Sequence, residues 1–172
     1  AAHFFYLGYA LYELKNFKNS IKAYSISLEL DENAYAYIGR GIAYAEQQKY
    51  NEAIKDFDKA IKLNPNLAEA YIGRGAAYAK QQKYNEAIKD YDKAIKLNKD
   101  YAEAYYNRGL AYAELGEHER AREDMLRAGN LFTNKRRMED VIRVCAWIFI
   151  LGEESERVIA GHILLLHSYI SG

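Results

Sequence analysis

Residues 34–67 read AYAYIGRGIAYAEQQKYNEAIKDFDKAIKLNPNL, and residues 68–101 read AEAYIGRGAAYAKQQKYNEAIKDYDKAIKLNKDY. The two stretches are identical at 27 of 34 positions and differ only at Tyr35, Ile42, Glu46, Phe57, Pro65, Asn66 and Leu67 of the first. Identity of that order is an internal array, not a compositional accident. Within each stretch the apolar residues recur at three and four, as in Tyr37, Gly41 and Tyr44 and then Ala53, Phe57 and Ala60, which is helix spacing. QQKYN separates two helical runs, and Asn64-Pro65-Asn66 or Asn98-Lys99-Asp100 closes each stretch, so the order is helix, turn, helix, turn. Gly41, Gly75 and Gly109 recur inside the first helix, where each costs about 1 kcal/mol against Ala. Close approach of the paired helix, with Ala53, Ala87 and Ala121 opposite, would compensate that cost.

The frame continues more weakly over residues 102–135. It extends back over residues 1–33 once one loop residue near Glu32 is dropped, which gives four units (1–33, 34–67, 68–101 and 102–135). The pattern resembles the tetratricopeptide repeat (TPR). The second unit carries it as Tyr37, Arg40-Gly41, Tyr44, Ala53, Phe57, Ala60 and Pro65. The third carries Tyr71, Arg74-Gly75, Tyr78, Ala87, Tyr91 and Ala94, with Lys99 in place of Pro. The first has Phe4, Leu7-Gly8, Leu11, Ser20, Tyr24 and Ser27, and the fourth Tyr105, Arg108-Gly109, Tyr112, Ala121, Met125 and Ala128. The resemblance implies an all-α fold, a right-handed superhelical solenoid of four helix-turn-helix units whose stability comes from neighbour interfaces, followed by C-terminal capping helices. It also implies a concave groove lined by the first helix of each unit.

Opposite the repeat's own packing stripe, a second stripe spaced 3, 4, 3 is expected to face that groove. It comprises Phe5, Tyr9 and Tyr12 in the first unit, and Tyr35, Ile38 and Ile42 in the second. Glu69 and Ile72 follow in the third, then Glu103, Tyr106 and Leu110 in the fourth, with alanines at the remaining positions. A second apolar face on a helix pair calls for a partner, and Tyr supplies large amphipathic contact area. Burial of Ile38, Ile72 and the alanines against neighbouring units is the competing expectation. Some members of the family hold an acidic C-terminal tail with Lys, Asn and Arg on this stripe. The matching positions here are Phe5, Tyr9, Gly39 and Glu69 in one frame and Ile38, Ile42, Gly73 and Glu103 in the next, so that clamp is absent. Asn107 matches a common family Asn able to bond a ligand's backbone amide. The expected ligand is therefore an apolar peptide or helix of a partner protein.

Residues 136–172 read as an apolar helix pair, a cap or an oligomerisation tail, with Trp147, Ile159, Ile163, Leu166 and Ile170 as candidate contacts. Self-assembly through this tail is the alternative expectation for function. The 172 residues hold 24 Lys plus Arg against 24 Asp plus Glu, which removes a general attraction for nucleic acid or anionic lipid. No apolar run is long enough to cross a bilayer, so a cytoplasmic chain is expected. Cys145 is the one cysteine and the four histidines are scattered. With no HExxH or CxxC spacing, neither a metal nor a cofactor is expected, and no residue is a candidate catalyst. Gly39-Arg40-Gly41 lies inside a helix and lacks the strand-to-helix turn of a phosphate loop.

Overall fold

The structure is a computed structural model that describes residues 1–134. Its eight helices alternate in first-and-second pairs: α1 (Ala2–Glu13), α2 (Phe17–Leu30), α3 (Ala34–Glu46), α4 (Tyr50–Leu63), α5 (Ala68–Lys80), α6 (Tyr84–Leu97), α7 (Ala102–Glu114) and α8 (His118–Asn134). No strand occurs among the described residues. The expected C-terminal helix pair of residues 136–172, with Trp147, Ile159, Ile163, Leu166 and Ile170, lies outside them.

The turns inside the hairpins share one hydrogen-bond pattern. Lys49 N donates to Tyr44 O at 2.9 Å and Gln48 N to Ala45 O at 2.8 Å, which satisfies two of the last carbonyls of α3 in a Schellman arrangement. Asn16, Lys83 and Glu117 repeat the longer bond, to Leu11, Tyr78 and Tyr112. The pattern demands a left-handed residue. Gly116 supplies it in the last hairpin (φ 76°), whereas Lys15, Gln48 and Gln82 adopt φ of 56°, 60° and 61° despite carrying side chains.

The described residues fall into two compact units, one of Ala1–Asn98 and one that begins at Lys99. In the first, each hairpin closes on itself, α2 packs on α3, and α4 packs on α5. The first helices also touch one another, α1 with α3 and α3 with α5, and so form the inner line of this unit. Its core contains Ile38, Ala53, Phe57, Ala60, Leu67, Ala70 and Ala77.

Phe57 explains the glycines. A Cβ on Gly41 would stand 3.1 Å from its ring, and one on Gly73, in the following hairpin, only 2.5 Å. Tyr24 lies the same way between Gly8 (2.9 Å) and Gly39 (2.5 Å). The expected close approach is present, since a Cβ on Gly75 would meet Tyr91 at 2.8 Å and the Ala87 carbonyl at 3.2 Å. The large aromatic ring of the second helix, more than the small alanine, is what requires glycine.

In the C-terminal unit α7 packs on α8 around Ala102, Met125, Ala128, Leu131 and Phe132. Gly109 there accommodates Met125 Cε and the Ala121 carbonyl, at 3.1 and 3.2 Å from an added Cβ.

Candidate functional site

The face presented by α1, α3 and α5 contains the stripe read from the sequence. Tyr9 and Tyr35 are each 56% exposed and Ile42 is 36% exposed. Glu69 is exposed, while Phe5, Tyr12 and Ile72 are half-buried. Ile38 is different: at 7% exposure it belongs to the core beside Ala53 and Phe57, which removes it from any contact surface. The 3, 4, 3 spacing places it on the stripe, but the stripe sinks there because α1 and α5 both flank α3.

Phe5 is fixed by an edge-on contact with Tyr24, ring centroids 5.8 Å apart, an arrangement aromatic pairs favour. Tyr12 tilts against Phe17 at 5.6 Å and donates its hydroxyl to Glu46 Oε1 at 3.5 Å, which joins α1 to α3 at the C-terminal ends of both helices. Burial, followed by the Glu46 carboxylate, raises the Tyr12 phenol above its ordinary value. At the other end, Asn33 accepts from Tyr35 N (2.8 Å) and Ala36 N (3.4 Å) and caps α3, so the exposed Tyr35 ring stands on a fixed helix start. A cavity beside it is lined by Ala2, Phe5, Tyr6, Asp31 and Tyr35 among others.

In the C-terminal unit, Tyr106 and Leu110 are partly buried against the α7–α8 core, and Glu103 and Asn107 are half-buried on the same helix.

The reading by stripes misses a charged device. Arg40 Nε and Nη2 donate to Asp56 Oδ2 and Oδ1, both at 2.8 Å. Arg74 grips Asp90 at 2.8 and 2.6 Å, and Arg108 grips Asp124 at 2.7 Å twice. Each carboxylate is buried. Each bidentate pair fastens a first helix to its own second helix. Arg74 Nη1 adds a bond to Asp58 of the preceding hairpin at 2.6 Å, and the Asp90 hydrogen bond, followed by that to Asp58, raises its pKa above the ordinary value. The signal is legible as an Arg and an Asp sixteen residues apart in three units. The first unit has Leu7 and Ala23 instead. Among the described residues no group of three His, Cys, Asp or Glu could hold a metal ion, and no helix is long and apolar enough to cross a membrane.

Stacked helix hairpins with an exposed aromatic face on their first helices define a helical-repeat protein of the solenoid class. Models described as TPR repeat match residues 41–82 and 77–116, and one described as tetratricopeptide repeat matches residues 102–134. The chain belongs to the tetratricopeptide repeat family. The Hsp70-Hsp90 organizing protein 2 of Arabidopsis thaliana is 42% identical over 57 residues, which is 33% of this chain and 10% of that protein. The chain thus spans 10% of the length of this curated relative. Among solved structures, that of MamA matches with a TM-score of 0.74 and 26% identity, covering 96% of this chain and 97% of that one. The second TPR domain of the human RPAP3 protein, solved in complex with the HSP70 peptide SGPTIEEVD, matches with a TM-score of 0.59 and 28% identity, over 60% of this chain and 88% of that domain.

Proposed function

We propose that this chain is a protein-interaction scaffold, not an enzyme, that holds an apolar peptide or helix of a partner protein against the first-helix face. The observation that carries the reading is the exposure of Tyr9, Tyr35 and Ile42 on adjoining helices, where water would otherwise be excluded only by a ligand. The RPAP3 domain in complex with an HSP70 peptide supports the general mode. It does not carry over the acidic ligand, because Phe5, Tyr9, Gly39 and Glu69 stand where an acidic tail would need cations.

The test is selection of peptides from a random display library on the full chain, with the recovered sequences re-measured on a Tyr9→Ala, Ile42→Glu variant of unchanged helix content and urea midpoint. Peptides rich in apolar residues that lose affinity by about tenfold or more on the variant support the reading. Equal retention by wild type and variant would place binding elsewhere and refute it.

A further inference from the structure

At the two joints inside the N-terminal unit, the second helix of one hairpin packs along one stripe of the next first helix. In α5 that stripe is Ala70, Gly73, Arg74, Ala77 and Gln81. Ala70 and Ala77 are buried, and a Cβ on Gly73 would stand 2.5 Å from the Phe57 ring. Arg74 Nη1 donates to Asp58 Oδ1 at 2.6 Å, and Gln81 Nε2 to Asn51 Oδ1 at 2.8 Å. In α3, Ala36 and Ala43 are buried in the same register, Tyr24 of α2 lies over Gly39, and Ser25 accepts from Arg40. α1 carries His3, Tyr6, Leu7, Ala10 and Leu14 at these positions, and all five are exposed. Exposure reaches 68% at Tyr6 and 77% at Leu14. The outer face of a terminal repeat is ordinarily polar, yet here Leu7 and Leu14 replace the Arg and Gln of the inner joint.

We infer that this α1 stripe is a second docking surface, separate from the face of Tyr9, Tyr35 and Ile42, and that its occupant is an apolar helix of a partner protein. That helix lies on α1 as α2 lies on α3 and α4 on α5, so the array's own joint prescribes its course. The side chains of α1 prescribe its chemistry. Leu7 and Leu14 stand where Arg74 and Gln81 meet Asp58 and Asn51, and a carboxylate or amide set against Leu is desolvated without a partner. The occupant therefore carries apolar residues at those two places. Tyr6 stands where Gly73 makes room for Phe57, so the occupant carries Gly or Ala there. The second helices of this array do not meet these demands. At the three places α2 has Lys18, Tyr24 and Ser25, α4 has Asn51, Phe57 and Asp58, α6 has Asn85, Tyr91 and Asp92, and α8 has Glu119, Met125 and Leu126. The occupant is thus a different helix, not another copy of this array stacked end to end.

Two stapled helical peptides built on residues 50–63 test it, each titrated by fluorescence anisotropy against the full chain. One keeps that sequence, and the other carries Asn51→Leu, Phe57→Ala and Asp58→Leu. The altered peptide is expected to bind about tenfold tighter or more. Tyr6→Gly, Leu7→Arg, Leu14→Gln, which gives α1 the α5 residues at these three places, should reverse the order. Leu14→Glu, at a side chain already in water, should weaken the altered peptide while helix content stays unchanged. Tyr9→Ala, Ile42→Glu should leave its binding as it is. Equal affinity of the two peptides, failure of both to bind, or binding that survives Leu14→Glu or is lost in Tyr9→Ala, Ile42→Glu would overturn the inference. Self-association in sedimentation velocity that Leu14→Glu abolishes would also overturn it, by placing a second copy on this face.

Discussion

Phe57 sits between Gly41 of its own hairpin and Gly73 of the next, and an added methyl at Gly73 would lie 2.5 Å from the ring. A mid-helix Gly→Ala change ordinarily stabilises by about 1 kcal/mol. At Gly73 the overpacking outweighs that gain, and Gly73→Ala is expected to destabilise by about 1–3 kcal/mol in urea unfolding. Gly75→Leu, against Tyr91 and the Ala87 carbonyl, should cost more, and an unchanged midpoint would show that the helices do not approach there. The opposite sign is expected at Gln82, whose φ of 61° is left-handed. Gln82→Gly should stabilise by about 1 kcal/mol and so raise the urea midpoint, because only glycine adopts that conformation without a steric cost. Both glycine effects are physical rather than compositional, yet they differ in legibility. The recurrent Gly41 and Gly75 announce a close contact from sequence, whereas the identity of the contact, an aromatic ring clamped from two hairpins, needs the fold. The left-handed glutamines give no such signal, since Gln at a turn looks like any polar loop residue.

At the scale of the helix, the Arg–Asp pairs decide how first and second helices are fastened. Arg74→Met leaves Asp90 buried without its bidentate partner and is expected to cost about 3 kcal/mol. Asp58→Ala removes an exposed partner of the same arginine and should cost under about 1 kcal/mol. Urea denaturation of the two variants and of Asp90→Asn checks the contrast, and equal losses would show that burial of Asp90 is not what matters. The helix boundaries were readable from periodicity and from Pro65, and the charges of α4 at Glu52, Lys55, Asp58, Lys59 and Lys62 are exposed as helical spacing suggests. Asp56 escapes a reading by helix face, because one more acidic residue in a charged helix looks like its solvated neighbours, and only the arginine sixteen residues earlier, repeated in three units, marks it. Ile38 escapes for the complementary reason. Its stripe position is right, but the neighbours that bury it belong to other hairpins.

For the molecule as a whole, alkaline pH should unfold this chain sooner than its carboxylates and lysines alone would suggest. Burial pushes Tyr24 up to about 12, from an ordinary 10.0, and raises Tyr91 further. The unfolded chain therefore releases these protons first. Above pH 10.0 it binds fewer protons than the native state, and stability is full below that value and declines as pH rises toward about 12. Tyr24→Phe, Tyr91→Phe, a change the array already tolerates as Phe57, should flatten that decline in urea midpoints measured against pH. The hairpin of α1 and α2 lacks the Arg–Asp pair and leaves Tyr6, Leu7, Leu14 and Leu30 exposed, so within the N-terminal unit its amides are expected to exchange first.

The central claim, that the first-helix face holds a partner's apolar segment, is tested most directly by backbone-amide chemical shifts recorded as a selected peptide is titrated into the full chain. The account predicts perturbations centred on α1, α3 and α5, strongest near Tyr9, Tyr35 and Ile42. Perturbations centred on α2, α4 and α6, with these residues unmoved, would contradict it.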